Sequence, residues 1–433
     1  MAKIAFLGAG SFGFGRRLVG DILSFPELVD STIHLVDPDA ERLALIHKFV
    51  QQMVHGAKVP TQVFASTERK EALDGADYVI VSIRVGSGLR PEALDVRIPL
   101  QVGGLRQTVS DTVGVGGIMK GLRTIPAMLD IARDMESLCP HALMLNYTNP
   151  MAMIMWAVLE ATHISAVGLC HSVQGTSKQL AGYMEVDANC MRYRVAGINH
   201  MAWFLELSQG SENLYPRLEA CLDRAEIVAR DPVRFEILKH FGYFVTESST
   251  HMAEYVPYFM AHQGEMARLN VKTRTAESFE NQQTQREESM AKAQREVESG
   301  AVEVRRSHEY AATIIHAMET DTPACIYGNV RNAGLITNLP DGCCVEVPCL
   351  INRAGLQPCY VGALPSQCAA LCQTNVSMQG LTVQAVLERK RESVCHAAML
   401  DANTAAQLTL PQIRATIDGL LRAQQGLMPP LDG

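Results

Sequence analysis

The most constraining stretch of this 433-residue chain is its beginning. Lys3 to Leu7 is a short apolar run that opens directly onto Gly8-Ala9-Gly10-Ser11-Phe12-Gly13. A helix-like stretch follows from Arg16 to Leu23, and a second apolar run, Thr32 to Val36, ends on Asp37. Strand, glycine turn, helix, strand and acid arrive in the order of a dinucleotide-binding unit, with the acid roughly 20 residues after the last glycine. Glycines let the backbone close on a pyrophosphate, and the unpaired amides of a helix N-terminus supply partial positive charge. Gly8, Gly10, Ser11, Phe12 and Asp37 are therefore the expected cofactor residues. NAD is favoured over NADP, because a carboxylate hydrogen-bonds ribose hydroxyls and repels a 2′-phosphate. The bare alternative is a tight turn that holds nothing.

The runs Gln62 to Ala65, Tyr78 to Val81 and Ala142 to Leu145 alternate with helical patterns such as Glu68 to Leu73 and Leu122 to Met135. That alternation predicts an α/β fold, a Rossmann-like, mainly parallel sheet with helices on both faces. The glycine cluster Gly114, Gly116 and Gly117 reads as a flexible loop or, beside a cofactor site, as a lid or substrate contact. Beyond Gly210, Leu218 to Val228, Phe235 to His240, Glu277 to Val297, His308 to Glu319 and Leu381 to Met399 read as helices. Gly342 to Val347 and Cys359 to Val361 read as strands. The length exceeds what one core usually supports, so two units are expected: residues 1–195 for the nucleotide and a mixed α+β unit, 196–433, for substrate and oligomerisation.

The net charge of -8 is carried without long basic runs, which argues against a nucleic-acid partner. No leader pattern follows Met1 and no apolar run approaches the 18 or so residues of a membrane helix, so the expectation is a cytoplasmic protein with no membrane partner. Its 12 cysteines are scattered, without a Cys-x-x-Cys pattern, and are expected to be mostly reduced.

Three polar clusters fall at predicted strand ends, where open α/β sheets bind ligands: Asn146 to Pro150, Gly168 to Ser172 and Gly197 to Met201. Within them Cys170 and His200 suit a borderline or soft divalent metal with positions left open for a substrate. Spacing leaves a second reading open, in which both are ordinary core residues.

Gly8-Ala9-Gly10-Ser11, Asn146 with Asn149-Pro150, Gly168-Leu169-Cys170-His171-Ser172 and Gly197-Ile198-Asn199-His200 resemble the successive signatures of glycoside hydrolase family 4, the NAD- and metal-dependent glycosidases. Gly116 to Met119, Gly242 to Ser249 and Ile326 to Asn332 are similar to its bacterial α-galactosidase branch. The resemblance covers almost the whole chain. It implies a fold like that of lactate and malate dehydrogenases, a homodimer or homotetramer, and NAD with a divalent metal, commonly Mn2+. The implied activity is hydrolysis of α-glycosides, α-galactosides first, through transient oxidation at C3, metal-assisted deprotonation at C2, elimination and water addition. Residue by residue it implies Cys170 and His200 as metal ligands, Asn149 as a substrate contact, Tyr255 as the C2 base and Asp111 as the acid that raises its basicity.

Two positions depart from the pattern. His171 stands where some relatives have an aspartate, and either protonates the leaving group or orients the metal site. Arg84 and Arg90 suit an anionic sugar such as a glucuronide, galacturonide or sulfoquinovoside, or else partner the cofactor's phosphates or lie on an exposed loop. A hydroxy-acid dehydrogenase and a silent NAD-binding regulator are the competing classes.

Overall fold

The computed structural model describes residues 1–86, 88–300, 302 and 304–432. Among them twelve strands form one sheet: β1 (Lys3–Leu7), β2 (Thr32–Val36), β3 (Gln62–Ser66), β4 (Tyr78–Val81), β5 (Leu143–Asn146), β6 (Ser165–Leu169), β7 (Met191–Ile198), β8 (Met201–Gln209), β9 (Glu212–Asn213), β10 (Ala324–Arg331), β11 (Cys344–Asn352) and β12 (Gly355–Pro358). The first six pair in parallel in the order β3-β2-β1-β4-β5-β6. This is the Rossmann order, which places ligands at the carboxyl ends of the strands. β4 and β5 are buried throughout and β1 is buried beyond Lys3, as strands covered on both faces must be.

At β6 the sheet changes character. β10 runs antiparallel to it, pairing Gly328 with Leu169 and Asn329 with Gly168, and the sheet continues through β11, β7, β8 and β9, with β12 on β11. The last parallel strand therefore delivers Cys170 to the junction between the parallel and antiparallel parts. The β7–β8 hairpin closes on the two-residue turn Asn199-His200, since Ile198 pairs with Met201.

The strand runs expected in the first half agree with the structure to within a residue. The glycine cluster does not: Gly114, Gly116 and Gly117 are buried in the first turn of the helix Gly114–Leu138, neither a loop nor a lid. A Cβ on Gly116 would lie 2.0 Å from Ser110 Oγ, and one on Gly117 2.7 Å from the Thr112 carbonyl carbon. Close backbone approach, not freedom, requires glycine there. Cys359 to Val361 lies beyond β12 and is not a strand, and the expected helix Leu381 to Met399 is two, Ser366–Leu387 and Arg391–Leu400, separated at Arg389 with φ 57°. The polar helix Ala276–Ser299 exposes most of its length but lies across the parallel part of the fold, where Arg16 pairs with Glu296 at 3.1 Å and Gln52 Nε2 donates to the Val297 carbonyl at 2.8 Å. No described helix is long and apolar enough to cross a membrane.

Candidate active site

The glycine turn is shaped from below by backbone and from the side by Asp37. Gly8 has φ +83°, and a Cβ there would lie 2.1 Å from the Ser82 carbonyl oxygen of the neighbouring strand end. The Gly10 amide donates to Asp37 Oδ2 at 2.9 Å, and a Cβ on Gly10 would lie 2.6 Å from that oxygen. Ser11 caps the helix Phe12–Leu23 by position only, without a side-chain bond, and the first turn carries no acid. Its amides thus remain available to an anion, and the bare cradle fits a dinucleotide phosphate. Asp37→Asn keeps an acceptor for Gly10 but removes the charge. It is expected to narrow the preference for NAD over NADP by about tenfold, or 1.4 kcal/mol, in titrations of the two cofactors. Equal binding of both by the unmutated protein would refute the assignment.

The second cluster is built by three elements. Cys170 directly follows β6, and His200 sits in the β7–β8 turn with φ +63°, a left-handed conformation that costs a non-glycine residue energy and is held by the paired strands on either side. Cys170 Sγ and His200 Nε2 are 3.4 Å apart. The short helix Ser249–Tyr255 supplies His251, whose ring meets that of His200 edge to face at 4.7 Å, and Glu247 lies just before it, its Oε2 2.5 Å from His251 Nδ1. His200, Glu247 and His251 each offer an atom within 4.8 Å of the others. His200 Nδ1 is buried without a hydrogen-bond partner. The imidazole and carboxylate donors of His200, Glu247 and His251 gather around one point with the Cys170 thiol beside His200, a set that fits a divalent ion. Burial opposes ionisation of Glu247, yet the close contact and charge of His251, with His200, hold its carboxyl well below the usual range. Burial raises the Cys170 thiol, against the opposing effect of the neighbouring polar groups of Ser172 and Asn199.

Asp111 and Tyr255 meet this cluster. Lys120 Nζ lies 3.4 Å from Asp111 Oδ2. Burial would raise the Asp111 carboxyl, but Lys120, His251 and His200 together keep it low and charged. The Tyr255 ring is 1% exposed and 6.4 Å from the His200 ring. Burial drives its hydroxyl well above the ordinary tyrosine value. The neighbouring Thr112 side chain opposes that shift, while Asp111, Glu247 and Glu254 add to it. Asp111 thus makes Tyr255 a stronger base while disfavouring its ionised form.

The remaining candidates are more dispersed. His171 is 60% exposed, with Nδ1 3.7 Å from Oε1 of the buried Glu309. Asn149 stands past the end of β5, which pairs with β6, and its Oδ1 accepts the Met151 amide at 3.3 Å. Arg84 pairs with the buried Glu92 at 2.9 Å, so its charge is already balanced. Arg90 is exposed in the first turn of Arg90–Gly103 and forms no ion pair among the described residues.

Glu247 and His251 escaped the sequence reading: Glu247 precedes the helix with φ +77°, so no helical periodicity joins it to His251. A buried row beneath Cys170 also escaped it: Gly168, Asn329, Glu346 and Gly197 lie side by side across β6, β10, β11 and β7. Both Glu346 oxygens lack hydrogen-bond partners, and burial pushes its carboxyl well above the usual range.

A Rossmann sheet whose strand ends gather a thiol, imidazoles, carboxylates and a buried tyrosine defines an enzyme built to act on a ligand beside a bound dinucleotide. Residues 3–186 match the family 4 glycosyl hydrolases, residues 195–404 match the family 4 glycosyl hydrolase C-terminal domain, and the chain belongs to that family. It is 40% identical over 437 residues to an alpha-galactosidase of Bacillus subtilis (strain 168), with 99% of each chain covered. It is 35% identical over 448 residues to an alpha-galactosidase of Rhizobium meliloti (strain 1021), with 99% of this chain and 89% of that one covered. Its backbone matches, with a TM-score of 0.81 and 21% identity over 99% of both chains, a crystal structure of a 6-phospho-alpha-glucosidase from gut microorganisms in complex with NAD and Mn2+.

Proposed function

We propose that the protein hydrolyses α-galactosides with NAD and a divalent cation, Mn2+ the first choice. What carries this reading is the gathering of Cys170, His200, Asp111 and Tyr255 at the strand ends of a chain that aligns end to end with an α-galactosidase. When bound, NAD supplies transient oxidation at the sugar's C3, and the metal makes the neighbouring C2 proton acidic. The chain's own residues do the rest. Gly8, Gly10, Ser11, Phe12 and Asp37 hold the dinucleotide, and Cys170 and His200 hold the metal, with Glu247 and His251 offering further donors. Asn149 contacts the sugar. Tyr255 takes the C2 proton, its proton affinity raised by Asp111. His171, oriented by Glu309, gives a proton to the leaving oxygen. In this division of labour residues 1–195 serve the nucleotide, and residues 196–433 bring His200 and Tyr255 to it and support a homodimer or homotetramer.

An anionic sugar is the second reading, resting on Arg84 and Arg90. The Arg84–Glu92 pair weighs against it, since a sugar anion would compete with a carboxylate already in place. Aryl α-galactoside, α-glucuronide and α-sulfoquinovoside, each assayed with NAD, Mn2+ and reductant, test the choice. The galactoside is expected to be the best substrate, and Arg84→Ala to change its Michaelis constant by less than about threefold. If Arg84 or Arg90 instead grips an anionic sugar, Arg84→Ala or Arg90→Ala raises that sugar's constant about ten- to a hundredfold. Higher efficiency on an anionic sugar, lost with either arginine, would overturn the galactosidase reading.

A further inference from the structure

Glu254 is fully buried and no cation pairs with it among the described residues. One oxygen, Oε2, accepts from the backbone amides of Thr108 at 2.7 Å, Val109 at 2.6 Å and Ser110 at 3.3 Å, and from Thr108 Oγ1 at 3.1 Å. These donors belong to the segment that ends in Asp111, and Ser110 holds the left-handed φ of +58°. Gathering three successive amides onto one acceptor offsets that strain and fixes the direction in which the next residue leaves. Other anchors hold the rest of the segment: Gln107 Oε1 accepts from the Gly116 amide at 3.2 Å, and Asp401 Oδ2 from the Gly114 amide at 3.1 Å. Both of these bind the start of the helix Gly114–Leu138 and not the amides of residues 108–110. The helix Ser249–Tyr255 reaches that segment through Glu254, the residue before Tyr255, and through the Thr250 carbonyl, which accepts from Thr108 Oγ1 at 2.7 Å.

We propose that Glu254 is a positioning residue for the reaction: it ties the Asp111 segment to the helix that ends in Tyr255, so that acid and base keep one fixed relation. The proposal rests on the glycosidase reading for its catalytic meaning. Its mechanical part stands on the hydrogen bonds alone. Burial, with Asp401 adding to it, pushes Glu254 up to about 7 against the hydrogen bonds from Val109 and Thr108. The acceptor lone pairs of Oε2 serve in either protonation state, and position, not charge, is what the segment uses. A glutamine can present its carbonyl oxygen to the same amides and its NH2 toward Asp401 and Gln107, the other acceptors around Gly114.

The test compares Glu254→Ala, Glu254→Asp and Glu254→Gln in the full chain with NAD and Mn2+. Amide hydrogen exchange at residues 108–111 reads the tether whatever the reaction proves to be. It is expected to quicken about tenfold or more in Glu254→Ala and to stay near the unmutated rate in Glu254→Gln. With an aryl α-galactoside, kcat is expected to fall about tenfold or more in Glu254→Ala, with the Michaelis constant and the NAD dissociation constant within about threefold, and to be rescued by Glu254→Gln. Should the alanine variant fail to fold, Glu254→Asp, which withdraws the acceptor by one methylene, is expected to show the same pattern more weakly. Unchanged exchange, faster exchange without loss of kcat, a glutamine variant as impaired as alanine, or unfolding of both shortened variants would each overturn the proposal. Failure of the unmutated protein on every glycoside would instead sink the glycosidase reading, leaving the exchange result to judge the tether.

Discussion

Dialysed against a chelator and freed of nucleotide, the protein is expected to lose hydrolysis to background and to recover only when NAD and a divalent cation are both returned. The two sites lie at the same edge of one sheet: the glycine turn follows β1, and Cys170 follows β6. Each handles a different part of the chemistry, so neither cofactor substitutes for the other. The metal half has a readout that needs no turnover. Cys170→Ala and His200→Ala remove donors that stand 3.4 Å apart, and should abolish high-affinity Mn2+ binding in a direct titration. Glu247→Gln separates two roles for that carboxylate: if it only orients His251, Mn2+ binding should weaken about ten- to a hundredfold, the usual cost of losing an outer partner of a ligand. Full activity in chelator, or tight Mn2+ binding by both alanine variants, would place the metal elsewhere or remove it from the reaction.

Much of the nucleotide half was legible because its signals are local. β1, the glycine turn and Asp37 lie within one short stretch, and the hydrogen bond from Gly10 to Asp37 joins residues the spacing had already paired. Gly116 and Gly117 show where local reasoning fails. The same absence of a side chain serves flexibility in one setting and tight contact in another, and only the position of Ser110 and Thr112 against the helix distinguishes them. Glu247 and His251 were hidden for a related reason. They flank the start of a seven-residue helix remote in sequence from His200, and they become part of the cluster only when the β7–β8 turn is brought against it. The row of Asn329 and Glu346 under Cys170 depends on strand register between β6, β10 and β11, which hydrophobic pattern alone does not specify in a sheet buried on both faces. Family resemblance supplied Tyr255 and Asp111, which no spacing in the chain would have joined.

Tyr255→Phe is expected to slow hydrolysis by about a hundred- to ten-thousandfold, the range a positioned acid or base contributes. An ordinary tyrosine loses its proton near pH 10, so acting as a base near pH 7 means overcoming about three units, or roughly 4 kcal/mol. The surroundings make that harder, because burial and the carboxylates of Asp111, Glu247 and Glu254 all favour the neutral hydroxyl, with only the neighbouring Thr112 side chain opposing them. They also make the phenolate, once formed, avid for a proton. A cation held by Cys170 and His200 fits this environment, since its charge would offset the carboxylates and make the phenolate accessible while lowering its proton affinity. Phenylalanine keeps the ring that packs in the core and removes only the hydroxyl, so NAD and Mn2+ affinities should stay within about threefold while solvent exchange of the sugar's C2 hydrogen and hydrolysis slow together. If exchange at C2 continues at the unmutated rate, the proton leaves to another group, and Tyr255 is reduced to a buried ring beside the site.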